Sequence, residues 1–379
     1  MLTISKNKIL TSDGKEILLT GIALGGWTMM EGYMLGGSNI PETKFKDQIE
    51  TSLGKNIRDE FSIQFRERFI TPIDAKRMAD FGFNCVRIPF NYRLIENKPD
   101  GMDFLVNAIK MFTDENLYVI LDMHAVPGSQ NKDWHSDSSG EALFYTDKSY
   151  QDRYVNLWKQ LSDIFKNNDL VAGYDIMNEP VTDRTDIVEK TYRRVIETIR
   201  KNGDNHIIFL EGNMWAQQID FLDNLIQLPN IALSVHFYEP SKFTFKEENS
   251  TTGYPGEIDS IMWDKKHMIE YLSKYAKKDV PVYVGEFGVS TNCKENGLSW
   301  VKDALDCFKH LGFHYTYWTY KSAAPMAFPD GLFQLFDKSL NMDNAVEMLK
   351  KDAEYYYCML DTTNFSLRED LLNILVDKQ

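Results

Sequence analysis

The sequence predicts an α/β protein folded as a closed (β/α)8 barrel, and three observations carry that prediction. Eight short, apolar, β-branched runs recur along the chain; amphipathic helical stretches separate them; and the first run is followed by GIALGGWTM rather than a GxGxxG turn opening a helix. Runs that are apolar on both faces imply parallel strands covered by helices, not hairpins wet on one side. The missing phosphate turn sets aside the runner-up, a doubly wound open sheet.

In chain order, ISKNKILTSDGKEILLTG reads as two short strands around a Ser12-Asp13-Gly14 turn, a hairpin outside the repeat that occupies residues 1–20. The eight barrel strands follow: LLTGIAL at 18–24, FNCVRIPF at 83–90, LYVILDMH at 117–124, VAGYDIMN at 171–178, HIIFLEG at 206–212, IALSVHF at 231–237, VPVYVGEF at 280–287 and FHYTYWTY at 313–320. Helices are expected at 73–81, 102–116, 149–167, 184–202, 262–278, 298–311 and 343–358. In YVNLWKQLSDIF, residues Tyr154, Leu157, Trp158, Leu161 and Phe165 recur at three- and four-residue spacings, which puts them on one buried helical face. Three connections, 27–72, 125–148 and 238–260, are long and rich in aromatics, and in a barrel all three fall on the C-terminal face. Residues 360–379 read as a C-terminal helical tail, whose Leu367, Leu371, Leu372, Ile374 and Leu375 suit packing on the barrel or on a second subunit. No linker, repeat or low-complexity tract divides the chain, so residues 1–379 are expected to form a single catalytic barrel domain.

Composition narrows the partners. With 42 Lys+Arg against 56 Asp+Glu the net charge is −14, which argues against nucleic acid, because binding there needs clustered cations to neutralise phosphates. Cys85, Cys293, Cys307 and Cys358 are scattered, with no CxxC and no His at zinc-site spacing, so neither a disulfide framework nor a structural metal is signalled. The opening LTISKNKILTSDGKE has no apolar leader core, and no stretch approaches the length of a membrane span. The reading is cytoplasmic, or secreted if a leader has been trimmed, and it leaves the oligomeric state open.

The chemistry gathers at strand ends. Glu179 follows strand four in DIMNEP and Glu286 ends strand seven in VGEFG, two strands that lie almost opposite in a barrel. Two carboxylic acids facing each other across the mouth are what hydrolysis of a glycosidic bond with retention requires, one protonated to assist the leaving group and one ionised to attack the anomeric carbon. Arg87 in VRIPF points inward at strand two and suits holding Glu286 ionised, and Tyr238 in HFYEP can give the same carboxylate a phenolic hydrogen bond. Asn178 precedes Glu179 and can bind a sugar hydroxyl, His124 and His236 close strands three and six, and Trp318 in YWTYKS offers a flat face to a sugar ring. Taken singly, a glutamate at a strand end is more often solvated or ion-paired, a buried histidine or arginine more often structural, and a tryptophan more often core. Together they put polar or aromatic residues at six strand ends, where branched aliphatics would be the norm.

The runs VRIPF, LDMHAVPGSQN, IMNEP, HFY, VGEFG and YWTYK, in this order from about Gly21 to Lys321, resemble the motif series of glycoside hydrolase family 5. The resemblance implies a retaining glycosidase with Glu179 as acid/base and Glu286 as nucleophile, surrounded by Arg87, His124, Asn178, His236, Tyr238 and Trp318, acting on an oligosaccharide or polysaccharide. It implies no cofactor. HAVPGSQN and LGGWTMMEGY are closest to the exo-β-1,3-glucanase branch, which points to exo-action on β-glucans or their oligosaccharides, with the loop from Pro127 through Ser129, Gln130 and Asn131 walling one side of the site. The competing expectations are an endo-β-1,4-glucanase or mannanase, a glycolipid glycosidase, a transglycosylase and a non-catalytic carbohydrate-binding barrel. A metal-dependent hydrolase is disfavoured, since no HxH or HExxH is present and Asp122 has no ligand partner at sequence spacing.

Overall fold

The computed structural model describes residues 1–246, 250–323, 328–335 and 340–377. Positions 247–249 of the third long connection and 378–379 of the expected tail lie outside these.

Eight parallel strands close into a barrel: β1 (Thr20–Ala23), β2 (Cys85–Asn91), β3 (Tyr118–Ala125), β4 (Val171–Asp175), β5 (Ile207–Glu211), β6 (Ile231–Phe237), β7 (Val282–Phe287) and β8 (His314–Tyr317). All eight predicted strands are present: β6 has the predicted bounds, β2 and β3 each start later and run one residue further, and the other five are shorter than predicted. β8 returns to β1, with Tyr317 beside Ile22, and β6 pairs with β7. The β6–β7 register slips between Val284 and Glu286, bringing Glu286 opposite His236. Gly285 permits this irregularity: a Cβ there would meet His236 Nε2 and Ser234 Oγ at 3.2 Å each.

The helices are α1 (Glu42–Leu53), α2 (Lys55–Phe69), α3 (Pro72–Phe81), α4 (Pro99–Thr113), α5 (Lys148–Phe165), α6 (Thr185–Lys201), α7 (Lys265–Ala276), α8 (Lys294–Leu311), α9 (Ala345–Met359) and α10 (Glu369–Leu375). Local chemistry sets their ends. Thr71 and Asp74 form a reciprocal capping box before α3, Pro72 starts the helix, and Gly82 ends it at φ 102°. Tyr154, Leu157, Trp158, Leu161 and Phe165 of α5 are buried as their spacing predicts.

Four parts differ from the sequence expectation, one being the antiparallel pair Gly256–Ile258 and Ile261–Trp263, whose second strand takes the first residues of the helix expected at 262–278. The connection 27–72 is largely helical, holding both α1 and α2, with Phe61, Phe65 and Phe69 buried four residues apart. The N-terminal hairpin is present, but its strands Thr3–Ser5 and Lys8–Leu10 turn at Lys6-Asn7, and the Ser12–Gly14 turn closes only a single bridge from Leu10 to Glu16. A small sheet of Lys321–Ala323, Phe333–Leu335 and Ser366–Leu367 was not anticipated.

The hairpin closes the N-terminal end of the barrel, where Leu2 and Ile9 pack with Leu19, Ile120, Phe209 and Tyr283. The tail helix α10 buries Leu371, Leu372 and Leu375 on the barrel, and Tyr315 hydrogen-bonds the Leu375 carbonyl, so the tail packs on its own chain. With one end plugged, the C-terminal end is where a ligand can enter. Among the described residues no helix is long and apolar enough to cross a membrane.

Candidate active site

Glu286 stands at the end of β7, and its two oxygens are held separately. Arg87 Nη1 donates to Oε1 at 2.6 Å and the Tyr238 hydroxyl donates to Oε2 at 2.9 Å. Both partners are those expected from sequence. Charge-assisted bonds of this kind favour the ionised form of a carboxyl group.

Glu179 lies four residues beyond β4 and adopts a left-handed backbone with φ 47°, which costs a non-glycine residue on the order of 1–3 kcal/mol. Neighbours fix that conformation. Glu211 Oε2 accepts the Glu179 amide at 2.6 Å, and Asn131 Nδ2 donates to the Glu179 carbonyl at 2.9 Å. Gln130 bridges the carbonyls of His124 and Asn178 at 2.7 and 2.8 Å. The SQN segment, expected to wall the site, thus also staples the acid-bearing turn to β3.

His236 joins the two acids. Its Nδ1 is 2.6 Å from Glu179 Oε1 and 3.6 Å from Glu286 Oε2, and its Nε2 is 3.3 Å from Glu211 Oε1. Burial alone would depress its pKa, but Glu211, Glu286 and Glu179 hold it well above the ordinary histidine value. Glu179 feels the converse: burial pushes it up, yet the hydrogen bond and charge of His236, helped by His135 and His124, bring it down to about 2.

Arg87, fully buried, is the counter-charge of the barrel's upper layer. Besides Glu286 it touches Asp122, Asp175 and Glu211 at 3.1, 3.2 and 3.2 Å, and Asn178 Oδ1 at 2.9 Å. Burial opposes its charge, but these carboxylates raise its pKa well above its ordinary value. Asp175 is pushed the other way, well above the carboxylate range, by burial and by Glu211. The carboxylates of Asp122, Asp175 and Glu211 come within 4.8 Å of one another, a grouping invisible in sequence spacing, and it is the Arg87 guanidinium that lies against all three. Glu179, His236 and Glu286 likewise bring ligand-type atoms within 4.8 Å of one another. Geometry alone would let either trio hold a cation; in both a protein cation already makes the contacts.

His124 takes Asp122 on Nδ1 at 2.7 Å and sits 3.4 Å from Asn178 Nδ2. Its pKa is raised, burial being outweighed by Asp122. Trp318 stacks on His124 with ring centroids 5.5 Å apart and donates from Nε1 to the Tyr33 hydroxyl at 2.7 Å. One face of the indole is therefore already covered.

All eight residues singled out from sequence converge here. Sequence reasoning missed Glu211, Asp175, Glu31, His135 and Trp215. Glu211 had a readable signal, an acid at the end of strand five in FLEG. Glu31 is buried beside the two acids; burial first, and then the charges of Glu286 and Glu179, push its pKa up to about 8 against the pull of His124. The site opens into a cavity of about 470 Å³ walled by Trp134 and His135 after β3, Trp215 after β5, Phe245 after β6, and Phe328 with Pro329 after β8. A second cavity of about 590 Å³, between α1, α2 and the start of α4, shares no residue with it; the catalytic groupings belong to the first.

A closed parallel barrel with two acids at the ends of strands four and seven, and their supporting Arg, His, Asn and Tyr, defines a glycoside hydrolase. The chain matches the cellulase (glycosyl hydrolase family 5) model over residues 54–324, and it belongs to that family. It is 30% identical over 347 residues to a β-xylosidase of Phanerodontia chrysosporium, covering 84% of this chain and 70% of that protein. It is 25% identical over 326 residues to a probable glucan 1,3-β-glucosidase A of Aspergillus clavatus, covering 81% and 71%. Among solved structures, a hyperthermophilic endo-β-1,4-glucanase in complex with substrate superposes with a TM-score of 0.62 at 20% identity over 95% of this chain and 97% of that one, a likeness of fold.

Proposed function

We propose that the enzyme cleaves β-glucosidic bonds in β-glucans or their oligosaccharides by double displacement with retention, working from chain ends. The observation that carries this reading is the Glu179–Glu286 pair, with carboxylate oxygens within 4.8 Å across His236. Retaining enzymes set their carboxyl groups about 5–5.5 Å apart, whereas inverting enzymes leave about 6.5–9.5 Å for a water.

In the first step Glu286, kept anionic by Arg87 and Tyr238, attacks the anomeric carbon as the glycosidic C–O bond breaks and the leaving oxygen takes a proton from Glu179. His236 Nδ1, 2.6 Å from Glu179 Oε1, shares a hydrogen bond with the acid and can pass a proton to it. Proton donation therefore draws on the Glu179–His236 pair, not on one carboxyl alone. In the second step the ionised Glu179 takes a proton from water, whose oxygen displaces Glu286 from the sugar. Aromatic walls on several sides of a cavity of small-ligand size favour a pocket over an open groove, and the glucan 1,3-β-glucosidase relative agrees.

The β-xylosidase relative favours a second reading, cleavage of β-xylosides. Hydrolysis of 4-nitrophenyl β-glucoside and β-xyloside, with product analysis on laminarin, cellulose and mannan, separates the readings. Glucose as the first product from laminarin is the expected result; mixed oligomers from the start would show endo-action. Glu286→Gln should abolish release of the chromophore. Glu179→Ala should cripple poor leaving groups far more than activated aryl glycosides and regain rate with azide; equal loss on both would reverse the two roles.

A further inference from the structure

Each oxygen of Glu179 has its own imidazole. His236 takes Oε1, and on the opposite side His135 Nε2 lies 3.4 Å from Oε2. The two histidines are placed differently. His236 is sealed among Glu179, Glu211 and Glu286, whereas His135 belongs to the loop after β3, lines the cavity and keeps 15% of its side chain exposed.

Nothing in the double displacement uses His135, yet its surroundings are built. Asn131 accepts the Asp133 amide on Oδ1 at 2.9 Å and spends one Nδ2 hydrogen on the Glu179 carbonyl, which fixes the amide and aims its other N–H at His135 Nε2, 3.0 Å away. Asp133 Oδ2 approaches the same nitrogen at 3.8 Å and is held at 3.0 Å by the indole N–H of Trp215, a residue 39% exposed at the cavity mouth. His135 Nε2 is thus contested. The Asn131 N–H favours it bare, while the carboxylates of Asp133 and Glu179 favour it protonated. A small displacement of Asp133 changes the balance, and Trp215 is what holds Asp133.

We propose that His135 is a positioning residue for Glu179, setting the orientation and proton affinity of Oε2, and that the Asp133–Trp215 contact ties this setting to the sugar occupying the leaving-group side of the cavity. The proposal rests on Glu179 being the acid/base. Other charged or titratable groups around Glu179 are His236 from β6, Glu286 from β7, Glu211 from β5, His124 from β3, Arg87 from β2 and Glu31 after β1; those facing His135 are Glu179, Asp133 and, ring to ring at 6.0 Å, His124. Of these groups, His135 and Asp133 are the two on the loop after β3. His135 is also among the groups that hold Glu179 low, after His236.

The test compares the pH profile of kcat/KM for wild type, His135→Ala, His135→Gln and Asp133→Asn on two β-glucosides, one with a 2,4-dinitrophenyl leaving group and one disaccharide. His135→Ala should lower the disaccharide rate about tenfold while leaving the dinitrophenyl glucoside nearly unchanged, and should move the alkaline limb upward by about one pH unit because one of the groups that hold Glu179 low is gone. His135→Gln, which can return an N–H to the same place, should recover much of the disaccharide rate with the limb still displaced. Asp133→Asn should move the limb without loss on the activated substrate, and Trp215→Ala should raise KM for the disaccharide only. An unmoved limb with equal losses on both substrates would overturn the proposal and leave His135 a wall residue. Failure of the parent reading has a different signature: Glu179→Ala itself showing no leaving-group dependence, whatever His135 variants do.

Discussion

Replacing Arg87 with methionine tests the electrostatic logic of the barrel most directly. The side chain is of similar length and apolar, so the change removes charge and donors with little loss of volume. It strands Glu286, Asp122, Asp175 and Glu211, all within 2.6–3.2 Å of the guanidinium, and frees Asn178 Oδ1. Removing one partner of a buried ion pair costs about 3–5 kcal/mol, and the stranded carboxylates will respond by binding protons. Asp175 already lies well above the carboxylate range beside Arg87; in the variant the other three follow it above their unfolded values, so the added penalty is absent at pH below the unfolded carboxylate pKa of about 4, grows by about 1.4 kcal/mol per pH unit and per group above it, and levels off past the raised folded value. Urea denaturation of wild type and variant at pH 4.5, 6 and 8 should show a stability gap that widens as pH rises. Activity should fall by at least about 10³, since a protonated Glu286 is not a nucleophile. Arg87→Lys keeps the charge but loses the fork; it should recover most of the stability at pH 8 and little of the rate. A stability gap that does not change with pH would refute the assignment of Arg87 as the common counter-charge.

Other outcomes follow from the same geometry. Tyr238→Phe removes one of two donors to Glu286 and should lower kcat about 10–100-fold with the fold intact, as checked by steady-state kinetics and circular dichroism. Asn131→Ala frees the carbonyl of a strained Glu179, so kcat should drop by about tenfold or more while KM for aryl glycosides stays put. His314 is buried, its Nδ1 accepts the Leu19 amide at 3.0 Å, and burial depresses its pKa from 6.5 to about 4. Protons bind the unfolded chain first, so stability should decline as pH falls from 6.5 to 4, by about 3 kcal/mol in all from this group; a His314→Gln variant should lose that slope in a denaturation series.

The strands were legible because a barrel strand is buried on both faces and so reads as a short continuous apolar run rather than as apolar residues at helical spacing. The site was legible where a residue's type is rare for its setting, as with Arg87 inside VRIPF. Helices α1 and α2 escaped because each buries only two or three side chains in an otherwise charged sequence; the spacing of Phe61, Phe65 and Phe69 was available but sat in a stretch read as connection. Asp175 escaped, and Glu211 was passed over despite its place at a strand end, because single acids on separate strands meet only after the barrel closes. His135 had no signal at all, since its role depends on how the loop after β3 folds back over Glu179.

The same loop that narrows the pocket also clamps the turn bearing the acid, through Gln130 and Asn131. Substrate range and acid placement are therefore inherited together. A loop exchanged from a relative of different specificity will transplant a working wall only if it brings an amide at each of those two positions, and loop variants selected for new substrates should retain this pair while the residues beyond it drift.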